Sequence, residues 1–255
     1  MTGVLLLTAA GLALVVLALV TARRPVHGIP SRDGYFDRWQ VLHGGYNPRT
    51  GNPWLRGWLT MVYAIGKPLA RRGVQPDVLT ISAIWLAGAA FVPASAGGRW
   101  ALLAGWVLVA SGLFDNLDGC VAVLQDRTTA WGYVLDSAVD RVNDVVYLAA
   151  VVSVGAPLPL AIACGFGFFL LEYVRARAGN AGGDEVGRVT VGERPNRVIF
   201  LAAAIFFAGV FVARAELVAT IGLWVMTGLT AVALVQLVTA VRRQLLEADS
   251  KAPTG

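Results

Sequence analysis

Two long apolar segments, Trp100 to Val123 and Trp131 to Val154, each carry a pair of aspartates at helical spacing, and this arrangement constrains the fold more than any other feature of the chain. Asp115 and Asp118 are three residues apart and Asp136 and Asp140 four apart, so each pair occupies one face of its helix. Leu124 to Ala130 is the whole connection between the two patterns, which predicts a tight antiparallel hairpin with the acid pairs facing each other. Asp118 falls about six residues before the turn and Asp136 about six after it, so both are expected roughly 9 Å in from the loop.

The surrounding residues identify the solvent. Of 255 residues 56% are apolar, the mean hydropathy is +0.64, and several runs reach the ~20 residues that a bilayer requires. A soluble domain is excluded, and the chain is expected to be a polytopic membrane protein. Acids placed inside such spans are costly and mark function. Four ionised carboxylates at close quarters disfavour one another's charge, and a divalent cation removes the conflict. The ligand set is all oxygen, and Cys120 and Cys164 make no metal-type spacing, which favours Mg2+ or Mn2+ over Zn2+. Both cysteines read as small packing residues. Hard metals held by carboxylates suit phosphate ligands. Spacing alone therefore leaves two readings: phosphate chemistry at a metal site, or a proton or cation relay in an ion-coupled transporter.

Gly3 to Val20 is an uninterrupted apolar run followed by Arg23 and Arg24, so residues 1–22 are expected to form an extra transmembrane anchor whose C-terminal end is cytoplasmic. Residues 23–51 are polar and rich in Gly, Pro and Arg, and are expected to be a cytoplasmic surface segment with little regular structure; His27 and His43 within it carry no assigned chemistry. Asn52 and Pro53 open a helix on which Trp54, Leu55, Trp58, Leu59, Val62, Ile65 and Leu69 recur at helical spacing beside Arg56, Lys67, Arg71 and Arg72. That pattern suits a helix lying in the membrane interface, with an ordinary amphipathic core helix as the alternative. Further spans are expected from Asp77 to Ala96, Leu158 to Tyr173, Pro195 to about Ala213 and Leu217 to Val241, with a polar loop from Ala178 to Arg194 and a disordered cytoplasmic tail over 242–255. With the acid-bearing pair this makes an all-α membrane bundle: an anchor, an interfacial helix and six core helices over 52–241. The net charge of +5 is concentrated in alternate loops, which places the Asp118 to Asp136 turn in the cytoplasm and leaves only Arg99 and Arg214 opposite. No nucleic-acid motif accompanies the basic residues.

Asp115, Asp118, Gly119, Ala122, Gly132, Asp136 and Asp140 also stand in the register of a known pattern. The stretch resembles the signature of the CDP-alcohol phosphotransferases, DxxDGxxAR(x8)GxxxDxxxD, with seven of eight fixed positions matched and Val123 standing where the family has Arg. The resemblance favours the enzyme reading over the transporter. It implies a six-helix core, an active site in the cell membrane facing the cytoplasm, a homodimer, and transfer of a substituted phosphoryl group from a CDP-alcohol to an acceptor hydroxyl, with CMP released. It further implies that Asp115, Asp118, Asp136 and Asp140 hold Mg2+ or Mn2+, that Asp140 is the general base, and that Asp118, Gly119, Ala122, Gly132 and Thr80 of a family-like Pro76–Asp77–Thr80 segment surround CDP. The donor so implied is CDP-diacylglycerol first, with CDP-linked amino alcohols as the other donor class. YVRARA at Tyr173 to Ala178 and ERPNR at Glu193 to Arg197 resemble basic segments of actinobacterial phosphatidylinositol-phosphate synthases. Arg175, Arg177 and Arg197 would then bind a phosphorylated acceptor, inositol phosphate before glycerol 3-phosphate; positive-inside topology accounts for the same charges equally well. Asp144 and Arg141 read as a supporting ion pair. Val123 allows two outcomes, a cation such as Arg127 taking the Arg's place or a changed donor preference, and beyond them a family member that binds CDP without turnover.

Overall fold

The computed structural model describes residues 2–21, 23, 24, 26, 28–43, 45–181 and 194–251. Among these the regular structure is helical, apart from one isolated bridge between Arg23 and Val74. The helices are α1 (Thr2–Thr21), α2 (Arg32–Leu42), α3 (Pro53–Arg71), α4 (Pro76–Ala96), α5 (Trp100–Gln125), α6 (Ala130–Ser153), α7 (Leu158–Asn180), α8 (Arg194–Val210) and α9 (Ala215–Lys251). By length and composition α1, α4, α5, α7 and α9 suffice to cross a membrane. The other two core helices fall short for physical reasons: α6 carries Asp136, Asp140, Arg141 and Asp144, and α8 has 17 residues that open on Arg194 and Arg197. The expected bundle is present, with α4 to α9 as the six-helix core, α3 lying against α5, and α1 added against α4.

Local chemistry sets the ends that matter for the site. Asn52 Oδ1 accepts from the Trp54 N–H (2.9 Å) to start α3, and Thr129 Oγ1 accepts from the Gly132 N–H (2.9 Å) to start α6. Asp126 adopts the left-handed conformation (φ 57°), and the Arg127 N–H donates back to Ala122 O (2.9 Å), which stops α5. The turn is therefore confined to 126–129. Contrary to the expected tight hairpin, α5 and α6 scarcely meet along their backbones beyond it: α5 packs on α4 and α8, and α6 on α4. The two helices splay, and side chains span the gap.

Cross-links at two levels fix this geometry. Thr80 of α4 donates to Asp118 Oδ2 (2.6 Å), while Ser111 of α5 bonds both Ala83 O and the Tyr147 hydroxyl of α6, each at 2.7 Å. Gln125, buried at the end of α5, donates to Ala70 O and Val74 O and so sets where α3 ends and α4 begins. Cys120 packs against α3 over Gly66 and Cys164 is buried in the core; both are free thiols, as their expected packing role requires.

Two expectations fail at the edges. Within residues 23–51 an 11-residue helix forms, capped by Ser31 and burying Tyr35 and Phe36, because Tyr35 stacks on Tyr63 of α3 (5.6 Å) and Tyr63 donates to Pro30 O (3.2 Å). Arg49 closes its outer side by pairing with Asp37 (2.8 Å) over the Phe36 ring. The last helix also runs past Val241 to Lys251, where an unstructured tail was expected to begin. His27, residues 182–193 of the polar loop, and residues 252–255 lie outside the described residues.

Close approach of α5 and α8 depends on glycine. A Cβ at Gly112 would stand 2.6 Å from Val198 Cγ1, and one at Gly105 would meet Phe206 Cβ at 2.8 Å. Gly112→Ala is expected to destabilise the chain by about 1–3 kcal/mol, seen as a lower thermal midpoint in detergent. Adding Val198→Ala should recover most of that loss; no recovery would mean that this contact does not set the helix separation.

Candidate active site

The gap between α5 and α6 opens into a cavity of about 980 Å3. Asp115, Asp118, Asp136 and Asp140 all line it, together with Gly119, Ala122, Gly132 and Thr80. Every carboxylate and small residue singled out in the signature is thus brought to one space. A Cβ at Gly119 would meet nothing within 4 Å, so this glycine leaves room at the wall. Ligand oxygens of Asp115, Asp118 and Asp136 lie within 4.8 Å of one another, a separation a single ion can bridge. Asp118 is held in place by the Thr80 hydroxyl, and Asp115 Oδ1 is buried without a hydrogen-bond partner among the described residues. Donors of one kind, gathered from two helices with an oxygen left over, fit a hard divalent cation.

Asp140 lies beside Asp115 but outside the set of three whose oxygens converge. Arg194, the first residue of α8, reaches both Asp115 and Asp140 with the same Nη1, and Arg141 Nη2 lies 3.8 Å from Asp140. Sequence reasoning passed over Arg194 in favour of Arg197, one turn further on. Its signal was present, since an arginine at the start of a span on the acid side can only enter the cavity or face the headgroups.

The basic residues assigned to the acceptor are distributed differently. Arg197 is fully buried, donating to Asp144 Oδ2 (3.1 Å) and Glu172 Oε1 (2.8 Å) with its guanidinium 4.7 Å from the Phe168 ring centroid. Arg141 joins it, 3.4 Å from Asp144 and 3.7 Å from Glu172, which is the expected Arg141–Asp144 pair enlarged into a network. Arg175 lies 3.5 Å from Glu172, and Arg177 is exposed in the last turn of α7. Arg175, Arg177 and Arg197 are not among the residues lining the cavity.

At the end of α5, Val123 is buried beneath α2, and Arg38 of α2 donates to the Val123 carbonyl (2.9 Å). Arg127 lines the cavity although the helix stops before it. Trp58 of α3 donates to Asn116 Oδ1 (3.3 Å), and Trp54, Leu113, Val109 and Ile199 continue the lining as an apolar flank.

Comparison with known proteins bears on what this cavity is. The CDP-alcohol phosphatidyltransferase profile matches residues 74–233. The phosphatidylinositol phosphate synthase of Streptomyces avermitilis is 31% identical over 214 residues, spanning 78% of this chain and 85% of that protein. The archaetidylinositol phosphate synthase of Methanothermobacter thermautotrophicus is 32% identical over 147 residues, 54% of this chain and 73% of its own length. The crystal structure of Mycobacterium tuberculosis phosphatidylinositol phosphate synthase with CDP-DAG bound superposes with a TM-score of 0.56 at 27% identity, covering 71% of this chain and 94% of that one. The same enzyme in complex with manganese and citrate gives 0.57, over 71% and 88%. A profile that spans the signature and most of the core bundle, with relatives aligned along most of their length, makes this chain a member of the CDP-alcohol phosphatidyltransferase family, a membrane transferase of substituted phosphate groups.

Proposed function

We propose that the chain transfers the phosphatidyl group of CDP-diacylglycerol to a phosphorylated alcohol, inositol phosphate in the first place and glycerol 3-phosphate in the second, and releases CMP. The observation that carries this reading is one cavity lined at once by the four signature aspartates, by the glycines beside them and by an apolar flank. Such a space can receive a nucleotide, a diphosphate and a lipid together. The names of the aligned relatives support the acceptor class.

Asp115, Asp118 and Asp136 would hold Mg2+ or Mn2+, with Asp140 at the edge of that site. A bound divalent cation supplies charge neutralisation for the donor's diphosphate and for the departing CMP. Asp140 takes the proton of the acceptor hydroxyl, whose oxygen forms a bond to the lipid-bearing phosphorus while the bond from that phosphorus to the CMP oxygen breaks. Arg194 and Arg141 hold the Asp140 carboxylate from two sides, which fixes its direction toward the acceptor. Gly119, Ala122 and Gly132 leave space for the nucleotide, and Thr80 orients Asp118.

For the acceptor phosphate we assign Arg175 first and the exposed Arg177 second, both at the end of α7 and outside the cavity lining. Arg197 takes a different part from the one its sequence position suggests, because burial between Asp144 and Glu172 leaves it acting through Glu172 on Arg175. The site opens to the cytoplasm: the 126–129 turn, Arg71, Arg72, Arg175, Arg177, Arg242 and Arg243 share one end of the bundle, and Arg99 and Arg214 mark the other. A homodimer completes the reading.

CMP release with a panel of acceptors, with and without Mg2+, tests the proposal; serine or free inositol as the best acceptor would overturn the phosphorylated class. Arg175→Ala should raise the acceptor KM at least several-fold, since it removes a charge-assisted bond worth about 1.5–3 kcal/mol, and should leave the CDP-lipid KM nearly unchanged. Asp140→Asn is expected to keep CDP and metal bound while turnover falls by about 10² or more. Near-normal turnover would remove Asp140 from the base role. Arg194→Gln deletes a positive charge beside Asp115, so Mn2+ titrated without nucleotide should bind at least several-fold more tightly, whereas Asp136→Asn should weaken it. Unchanged titrations in both would take these residues out of the metal site.

A further inference from the structure

Just past α1 the chain is pinned by backbone to the turn between α3 and α4. The Arg24 N–H donates to Gly73 O (2.8 Å), and Arg23 bridges Val74. Gly73 makes the approach possible: its φ is 74°, and a Cβ there would run into Arg24 O. Two pairs of arginines are brought together as a result, Arg23 and Arg24 on one side, Arg71 and Arg72 at the end of α3 on the other, and all four are exposed. Arg23 Nε donates to Leu19 O (3.1 Å), which holds that guanidinium at the foot of α1. Lys67, one turn before Arg71, stays out of the group because its ammonium lies over the Tyr63 ring (5.1 Å).

Among the described residues none of these four arginines makes an ion pair. The acids near them in sequence are engaged elsewhere: Asp33 and Asp37 pair with Arg49, and Asp77 lines the cavity. Membrane topology asks only for positive charge somewhere in the segment. It does not ask for a bridge and a left-handed glycine that hold four guanidiniums together against their mutual repulsion. An anion with several acceptor oxygens relieves that repulsion. Depth selects the kind of anion. α1 and α4 are each long and apolar enough to cross a membrane, so the place where one ends and the other begins stands at its surface. On α4, Ile81 and Trp85 are exposed and lead in four-residue steps to Ala89, against which Gly11 of α1 packs; Leu17 and Val20 of α1 are exposed toward the same end.

We propose that the junction of α1, α3 and α4 binds an anionic phospholipid, with the headgroup phosphate held by Arg23, Arg24, Arg71 and Arg72 and the acyl chains lying along α1 and α4. The site lies outside the cavity, whose lining includes none of these arginines, and it does not depend on the reaction proposed above. It adjoins the cavity through the backbone. Gln125 at the end of α5 donates to Val74 O (2.8 Å), and Pro76 and Thr80 of the same chain segment line the cavity. A lipid that ties Arg23 and Arg24 to the end of α3 therefore steadies the start of α4, from which Thr80 reaches Asp118.

The test titrates the full chain in detergent micelles with phosphatidylglycerol or with phosphatidylcholine of the same acyl chains, and counts bound lipid by native mass spectrometry. Phosphatidylglycerol should bind about ten-fold more tightly than phosphatidylcholine, and Arg24→Gln combined with Arg72→Gln should remove most of that preference. Arg23→Gln combined with Arg71→Gln gives the same reading if the first pair fails to fold. Arg242→Gln combined with Arg243→Gln takes as many charges from exposed positions on α9 and should leave the preference within about two-fold of the unaltered chain. Thermal midpoints supply a second readout: phosphatidylglycerol should raise that of the unaltered chain and not those of the junction variants. Equal retention of the two lipids by the unaltered chain would overturn the proposal. So would an equal loss in the α9 pair, because charge would then act by number and not by place. Inorganic phosphate that raises the midpoint as far as phosphatidylglycerol does would overturn it as well, since the junction would then hold a free anion and need no acyl chain.

Discussion

Mutual repulsion among carboxylates in a poorly solvated bundle is the constraint on which the rest of this structure depends. The protein meets it in two layers. In the inner one Asp144 and Glu172 are met by Arg141, Arg175 and Arg197, so acids and bases from α6, α7 and α8 close on one another with no ligand needed. In the outer one Asp115, Asp118, Asp136 and Asp140 are met within the cavity by Arg194 and at its edge by Arg141. Around the whole cavity wall five aspartates, Asp77, Asp115, Asp118, Asp136 and Asp140, face two guanidiniums, Arg127 and Arg194, a formal excess of three negative charges. That imbalance is what distinguishes a site from a structural ion-pair network, because it is removed only when cationic species enter.

Holding the outer layer open requires that α5 and α6 not collapse on each other. Contacts with other helices hold the two in place: Gly105 and Gly112 let α8 approach α5, Gly209 returns the contact against Leu102, and Ser111 ties α5 to α4 and α6 through Ala83 and Tyr147. Gly112 and its α8 contact Val198 belong to the wall that also carries the aspartates. The small residues within the signature have a separate task, since Gly119 faces open space rather than a neighbouring helix.

Much of this was legible in the sequence. Apolar length and 3.6-residue periodicity gave the core spans, and acid spacing gave the four residues that the cavity unites, because both signals are local to one helix. What escaped depended on contacts between elements. α2 is short and polar, and its aromatic face becomes meaningful only against Tyr63 of α3. The choice between Arg194 and Arg197 turned on where α8 begins, since a shift of one turn moves an arginine from the cavity into the buried Asp144–Glu172 network. The extension of α9 to Lys251 had the same cause, as a charged helical end carries no apolar stripe to announce it.

Val123 joins these strands. The Val123 side chain stands on a boundary, lining the cavity on one side and joining the apolar cluster of Tyr35, Phe36 and the end of α5 on the other. The valine gives α2 an apolar seat, the helix occupies it, and Arg38 brings a positive charge to the Val123 carbonyl. Tyr35, Trp39, Leu42 and His43, on that helix and its C-cap, thereby stand on the wall of the same cavity as the aspartates.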